Sequence, residues 1–429
     1  MNQKQISFFK YFLLSLFILV IVALINVVLS SEIKLSFLLY TLGKLTGLIG
    51  FLFLSILIIS GDLSRIFDKI FGLDKIIKFQ RKFSFFTAIF VLAHPLFFML
   101  SNGIFSDYLI PNFALMPLAL GIISLYIFII IMFCSITYKK ISYHLWQYLH
   151  VFTYILFFFS LYHAFNWGSD SGNFIVRLIY GLLLTFFLIG IIYRTNYKIK
   201  QRKFKFKVLK INWETKDTFT LILKSNNPFH FKAGQFCFLR LNKENLFARH
   251  PFTISNSPNG DGELHFTIKL QGRFTKAVSE LKEGEQVIVE GPFGTFYVKD
   301  NQKELVFIAG GVGITPFMSI ITDQINKHNL QKITLFYSSK KKTEVIFKDR
   351  LDQIKESWFK KVYILSQEEG FEEEEKGRIN KEIIAKHLIL LDNCLFYICG
   401  PEGLKNRVTK ELIHLGVKKS NIIIEDFFW

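Results

Sequence analysis

Six runs of about twenty apolar residues fill the first two hundred positions of the chain, at roughly 11–30, 37–60, 83–101, 116–136, 145–165 and 174–193. At about 1.5 Å of rise per residue, each is long enough to cross a hydrocarbon core about 30 Å thick. A bilayer offers no water to satisfy backbone N–H and C=O groups, so single spans of this kind have to be helical. The spacing predicts a bundle of six transmembrane helices. The first run follows Lys4 and Lys10, continues beyond the length of a signal-peptide core and offers no small-residue cleavage site, so it is expected to stay as a helix.

Near residue 200 the pattern changes, with charge and strand-like alternation returning. A length of 429 residues with 51% hydrophobic and 17% aromatic side chains fits neither one domain nor a wholly soluble chain. The net charge of +18 is concentrated beside the apolar runs. Arg65, Lys69, Lys75, Lys78, Arg81 and Lys82 lie in the connection from Gly61 to Lys82. Lys139 and Lys140 lie in the next connection on that side, and Arg194, Lys198, Lys200, Arg202 and Lys203 follow the last run. The opposite connections carry almost no Lys or Arg. By the positive-inside rule both termini and the whole second half face the cytoplasm, as expected of a multi-pass protein of a prokaryotic cytoplasmic membrane. Topology accounts for the basic residues, so no nucleic-acid partner is expected. Cys134, Cys237, Cys394 and Cys399 have neither zinc-site nor disulfide-framework spacing and read as buried thiols.

Four of the ten histidines fall in the first half: His94 in the third run, and His144, His150 and His163 at the start of and along the fifth. An imidazole inside a bilayer is costly and faces the bundle interior, where it serves a function or makes a helix–helix hydrogen bond. The third and fifth helices run in the same direction, so His94 and His163, near their outer ends, can clamp a haem iron axially. His150 lies 13 residues before His163, about 20 Å along an ideal helix and about 140° away around it. A second haem at His150 would require a bent or rewound helix. Arg177, near the outer end of the sixth run, either pairs with an anion or snorkels to the surface.

In the second half, "KFKVLKINW", "TFTLILKS", "QFCFLRL", "ELHFTIKL" and "QVIVEGPFG" alternate with Gly, Asn and Asp turns, which predicts a small antiparallel barrel over 202–300. From 301 to 429 the pattern becomes strand, turn and helix. "ELVFIAGGVGITPFMSII" is an apolar strand, a turn with Gly310, Gly311 and Gly313, and a helix opened by Thr315 and Pro316, an arrangement that presents N–H groups to a phosphate. Three more apolar strands, "ITLFYSSKKK", "KVYILSQE" and "CLFYICGPEGL", predict a parallel α/β sheet. Glu372 to Glu375 read as a solvated acidic turn.

The pattern "VLAHPLFF" with the His150/His163 pair, followed by "FKAGQF", "ARHPFTISNSP", "IKLQGRFT", "GPFG" and the glycine-rich turn, resembles the ferric reductase and NADPH oxidase family over essentially the whole chain. The resemblance implies a six-helix transmembrane haem domain (1–198), an FAD-binding β-barrel (202–300) and an α/β NAD(P)-binding domain (301–429). In that family the third and fifth helices each carry two histidines, 14 and 13 residues apart, binding two stacked b haems. His94, His150 and His163 match three of these ligands. At the fourth, in "KFQRKFSFF", stands Gln80, a weak and hard ligand for haem iron. Three outcomes follow: an inner haem five-coordinate on His150, one that recruits His144, or a single outer haem. Of these, a retained but altered inner haem is favoured.

The same resemblance implies roles in the soluble half. Within His250, Pro251, Phe252 and Thr253, the phenyl ring flanks the flavin, the threonine hydroxyl approaches its N5 and the imidazole sits near its phosphates. Lys269, Gly272, Arg273 and Thr275 hold a pyrophosphate. The turn Cys399, Gly400, Pro401 borders the nicotinamide, and Cys399 need not be a nucleophile there. Ser338, Ser339, Lys340 and Lys341 stand where relatives meet the adenosine 2'-phosphate, which leans toward NADPH over NADH. Trp429 matches a terminal aromatic that stacks on the flavin. Thr253, Cys399 and Trp429 are thus the residues expected nearest the chemistry. The implied function is electron transfer from cytoplasmic NAD(P)H through FAD and haem to an outside acceptor. Dioxygen giving superoxide is preferred for that acceptor; a ferric chelate, or a periplasmic protein or quinone partner, is the alternative. A channel or haem sensor with a vestigial reductase half is the non-catalytic competitor.

Overall fold

The computed structural model describes residues 3–29, 38–103, 105–137, 140–141, 143–201, 205–243, 246, 248–299, 303–368, 374–388 and 390–425. It forms two compact units, Met1–Lys200 and Gln201–Trp429. The first consists of α1 (Gln3–Leu29), α2 (Leu38–Asp62), α3 (Ser64–Phe71), α4 (Leu73–Asn102), α5 (Met116–Ile136), α6 (Tyr143–Trp167) and α7 (Phe174–Gln201). All but α3 are long and apolar enough to cross a membrane. The six expected spans are present; α5 coincides with its apolar window, whereas α4 and α7 run on well beyond theirs through Lys- and Arg-bearing turns.

One connection differs from expectation. Residues 61–82 are mostly helical: α3 occupies the first part, and α4 begins at Leu73, ten residues before its apolar window. Asp68 is the cause. Its buried carboxylate accepts the Leu73 N–H at 2.7 Å, while Gly72 turns the chain at φ 87°, a conformation that side chains other than glycine resist. Gln80, which precedes the apolar window, therefore lies on the same helix as His94 and faces α2.

Helices α2 and α4 pack closely where glycine replaces bulk at their contact: a Cβ on Gly43 would lie 3.0 Å from the Phe98 ring. Aromatic rings fill the bundle centre, with Phe157 and Phe187 stacked at 3.8 Å and both fully buried. Arg177 is exposed, and its Nε donates to the Ser171 carbonyl at 2.7 Å.

The second unit opens with β1 (Lys205–Thr215), β2 (Thr218–Lys224), β3 (Phe236–Arg240), β4 (His250–Thr253), β5 (Glu263–Lys269), the short α8 (Arg273–Ser279) and β6 (Gln286–Phe293). The strands form one antiparallel sheet in the order β4-β3-β6-β1-β2-β5. A bridge from Ile254, just past β4, to Phe266 in β5 joins the two edges and closes the sheet into a barrel. Pro251 has no N–H to give, which an edge strand tolerates.

The chain continues through β7 (Glu304–Gly310), α9 (Thr315–Asn326), β8 (Ile333–Ser339), α10 (Lys348–Gln353), β9 (Phe359–Leu365), β10 (Glu374–Lys376), α11 (Lys381–His387), β11 (Cys394–Cys399), α12 (Glu402–His414) and β12 (Ile422–Ile424). These strands pair in parallel in the order β10-β9-β8-β7-β11-β12. Both faces of the sheet are covered, which explains strands apolar throughout rather than alternating. Two hydrogen bonds tie α9 to the barrel: Ser319 Oγ donates to the Asn256 carbonyl at 2.6 Å and Asn326 Nδ2 to Ser257 Oγ at 2.8 Å.

The acidic run is not simply a solvated turn. Glu374 and Glu375 lie in β10, where Glu374 pairs with Lys342 at 3.1 Å and Glu375 with Lys386 and His387, each at 2.8 Å. Glu372 and Glu373 lie outside the described residues. Cys237, Cys394 and Cys399 are buried as expected, whereas Cys134 is partly exposed.

Candidate functional site

Two imidazoles face each other across the bundle. The rings of His94 on α4 and His163 on α6 lie 6.2 Å apart, centre to centre, inclined at 74°. Each is held by the same device on a different helix. His94 Nδ1 bonds the Gly43 carbonyl of α2 at 2.8 Å, and His163 Nδ1 bonds the Pro117 carbonyl of α5 at 2.9 Å. A carbonyl only accepts, so each Nδ1 carries the proton and each Nε2 is left as a lone-pair donor.

One turn after each carbonyl stands a glycine. A Cβ on Gly47 would come within 2.5 Å of His94 Nδ1, and one on Gly121 within 2.5 Å of His163 Nδ1. Only glycine lets the imidazoles lie this close to the neighbouring helix. Gly47 and Gly121 were not singled out by sequence reasoning, because a glycine's place opposite a ring is a tertiary fact.

The histidines line a cavity with Phe51, Phe98, Tyr108 and Trp167 in its wall. Lys44, next to Gly43, lines it too and pairs with Asp170 at 2.8 Å, both side chains largely buried. Lys44 stands inside the second apolar run, where a charge is costly unless paired. Two metal–imidazole bonds of about 2 Å each, plus about 1 Å from each nitrogen to its ring centre, separate the rings of an axial pair by about 6 Å. The observed separation, with each Nδ1 taken by a carbonyl and both rings lining the cavity, fits a haem iron held through the Nε2 atoms.

In the barrel, Phe236 pairs with Thr253 and Leu239 with His250 across β3 and β4. The Thr253 hydroxyl is buried and has no hydrogen-bond partner among the described residues. Buried hydroxyls are almost always bonded, and this one is an orphan where a flavin N5 is expected. His250 stacks on Phe274 with ring centres 3.8 Å apart, and burial pushes its pKa below the ordinary histidine value. Beside this motif, the buried Glu290 is bonded by Arg249 Nε at 2.8 Å and lies 3.4 Å from Arg240. Neither arginine nor Glu290 was foreseen. Lys269 pairs with Asp217 at 3.0 Å on the barrel surface. Thr275 Oγ1 accepts the Gln271 N–H at 2.7 Å and donates to the Gly272 carbonyl, fixing the turn into α8.

In the sheet, β7 is followed in space by β8 on one side and by β11 on the other, so the strand order reverses between β7 and β11. Ligands of open α/β sheets bind outside the strand ends at such a switch point. There the turn of Gly310, Gly311 and Gly313, which begins at the last residue of β7, meets the turn of Cys399, Gly400 and Pro401, which begins at the last residue of β11. A Cβ on Gly313 would lie 2.3 Å from the Cys399 carbonyl oxygen, and one on Gly400 3.1 Å from the Gly310 nitrogen. Pro316 sits in the first turn of α9, where its missing N–H costs nothing. Ser338 pairs in register with Gly310 near the end of β8, at the same edge, with Ser339 closing the strand and Lys340 exposed beyond it. The Cys399 side chain is fully buried, a packing position rather than a nucleophile's. Trp429 lies outside the described residues.

A transmembrane bundle joined to a flavin-type barrel and a nicotinamide-type sheet defines a membrane-bound NAD(P)H-dependent flavin oxidoreductase. Family comparison agrees with each part: residues 46–161 match the ferric reductase like transmembrane component, 203–297 an FAD-binding domain and 307–410 the oxidoreductase NAD-binding domain. The chain thus has the domain architecture of the ferric reductase and NADPH oxidase type.

Among characterised proteins, it is 33% identical over 164 residues to a subunit of the Na(+)-translocating NADH-quinone reductase of Neisseria gonorrhoeae, covering 36% of this chain and 40% of that one. To the corresponding subunit of a Marinomonas species it is 30% identical over 196 residues, covering 41% and 48%. The chain spans less than half the length of these relatives. Among solved structures, the flavohemoglobin of Malassezia yamatoensis shares the fold at a TM-score of 0.50 and 17% identity, covering 91% of this chain and 96% of that one.

Proposed function

We propose that the chain carries electrons from cytoplasmic NAD(P)H through FAD and a haem held by His94 and His163 to an acceptor on the far side of the membrane, with dioxygen as that acceptor and superoxide as product. The observation carrying this reading is the pair of facing imidazoles, each with Nε2 left for a metal, inside a bundle joined to a flavin reductase. FAD, when bound, would supply the conversion from two-electron to one-electron chemistry, and a haem held by His94 and His163 would supply a one-electron carrier.

In this reading the chain's own residues divide the work. The glycine turn after β7 and the Cys399–Gly400–Pro401 turn receive the nicotinamide nucleotide, with Thr315 and Pro316 opening the helix whose N–H groups face its phosphates. Ser338 and Lys340 favour NADPH. The Thr253 hydroxyl donates to the flavin ring, and Phe252 flanks it. His250, Lys269, Gly272, Arg273 and Thr275 surround the flavin's phosphates. The positive-inside pattern sets the reductase half in the cytoplasm.

Thr253→Val in the FAD-loaded chain is expected to slow reduction by NADPH about tenfold, the worth of one buried hydrogen bond of about 1–1.5 kcal/mol, with FAD content unchanged. Stopped-flow bleaching of the flavin band measures this, and an unaltered rate removes Thr253 from the site. For the acceptor, purified chain given NADPH should reduce a dye in a superoxide-dismutase-sensitive manner. Insensitive dye reduction accompanied by reduction of a ferric chelate would assign the chain as a ferric reductase instead. The relatives named as parts of an NADH-quinone reductase make a quinone the third acceptor for that assay.

A further inference from the structure

The inner half of the bundle repeats the geometry of the outer half with different residues. Gly61 lies fourteen residues after Gly47 on α2, and Gln80 fourteen before His94 on α4, so the glycine-and-imidazole arrangement recurs one level inward with a glutamine in the ring's place. The resulting contact is seen: a Cβ on Gly61 would lie 3.6 Å from Gln80 Nε2. That amide nitrogen donates to Ser60 Oγ at 3.1 Å. Gln80 is thus engaged by α2.

The facing side differs as well. His150 lies thirteen residues before His163, but the positions thirteen and fourteen after Gly121 on α5 are Cys134 and Ser135, so no glycine opens a nest there. The His150 ring instead stacks on Trp146 of its own helix, with centres 4.4 Å apart and planes 28° from parallel. Among the described residues, His94 and His163 are the only two histidine rings that face each other. The side chain of His144 lies outside the described residues.

A second polar network begins at Asp62, the residue after Gly61 on α2. Asp62, at the end of α2 with its side chain 2% exposed, accepts from Tyr154 Oη at 2.8 Å and from Arg194 at 2.7 Å, and Arg194 also bonds the Tyr154 oxygen at 3.0 Å. Tyr154 lies one turn from His150 on α6. A buried carboxylate is retained only where it is paired, and here three helices are tied together by one. At Gly190 a Cβ would lie 3.1 Å from the Asp62 Cβ, so α7 is drawn in close.

We propose that this chain binds one haem, between His94 and His163, and that the inner haem position of its family has become a protein-only polar core of Gln80 with Ser60 and Asp62 with Tyr154 and Arg194. The inference rests on the reading of the outer pair as a haem site. It selects the third of the outcomes that Gln80 leaves open in the sequence.

The test is the haem content of the full chain, purified from cells supplied with haem precursor, by pyridine haemochrome against quantitative amino-acid analysis. One haem per chain is expected, remaining at one in His150→Ala and falling to none in His94→Ala or His163→Ala. Two haems per unaltered chain, or half the content in His150→Ala, overturn the inference while leaving the outer site standing. No haem in the unaltered chain overturns the outer-site reading and this inference together. A potentiometric titration of the Soret band asks the same question without any variant: a single one-electron wave is expected, and two waves refute it.

Discussion

Gly47→Val and Gly121→Val chains are expected to fold and enter the membrane yet hold at most about a tenth of the haem of the unaltered chain when haem is limiting. A Cβ at either position would stand 2.5 Å from the Nδ1 of a candidate ligand, closer than real side chains approach. The neighbour that must give way is an imidazole, which can swing aside, so the helices survive. In swinging it loses its bond to the Gly43 or Pro117 carbonyl and its alignment with the opposite ring. Overpacking of this kind costs about 1–3 kcal/mol, or about five- to 150-fold in affinity, and loss of the orienting hydrogen bond adds to it. Gly181→Val is the control, because a Cβ there meets nothing within 4 Å. Haem absorbance per protein, with membrane yield followed by immunoblot, gives the answer; normal haem in both glycine variants would mean that the two histidines are not the ligands.

Much of this architecture was legible because it rests on long, repeated signals. Six apolar runs survive any local ambiguity, and the alternation in the barrel strands and the glycine turn of β7 each report a local rule. Intramembrane histidines stand out because they are costly there, and His94 and His163 do meet. What escaped was defined by what lies opposite. Gly47 and Gly121 cost their helices about 1 kcal/mol each relative to alanine, which hints at a purpose but not at which ring needs the space. Asp62 sits at a helix end, where a carboxylate is unremarked until Tyr154 and Arg194 arrive from distant helices. The start of α4 was misjudged because hydropathy reports immersion in hydrocarbon, not helicity, and Asp68 with Gly72 restarts the helix well before the apolar stretch. In the soluble unit, neither the glycine turn nor the Cys399–Gly400–Pro401 turn is specific alone. The parallel order that sets β11 beside β7 makes them one site, and that order is not written in either motif.

That juxtaposition gives the second large effect. Gly313→Ala is expected to lower NAD(P)H-dependent flavin reduction by about a hundredfold while FAD content and reduction of the flavin by dithionite stay normal. The new Cβ would lie 2.3 Å from the Cys399 carbonyl oxygen and 2.8 Å from the Gly400 Cα. Both are backbone atoms at the ends of buried, hydrogen-bonded strands, and neither can rotate out of the way as a side chain can. The turns at the switch point must separate, and the strain of about 3 kcal/mol typical of overpacking falls on the place where the nucleotide is expected to bind. The barrel's HPFT strand is built from other contacts, so the flavin is unaffected. Gly403→Ala, in the first turn of α12 beside the same loop, meets nothing within 4 Å and should leave the rate unchanged. Stopped-flow reduction of the two variants side by side separates a local clash from general damage, and a Gly313→Ala chain reduced by NAD(P)H at the normal rate would remove the glycine turn from the nicotinamide site.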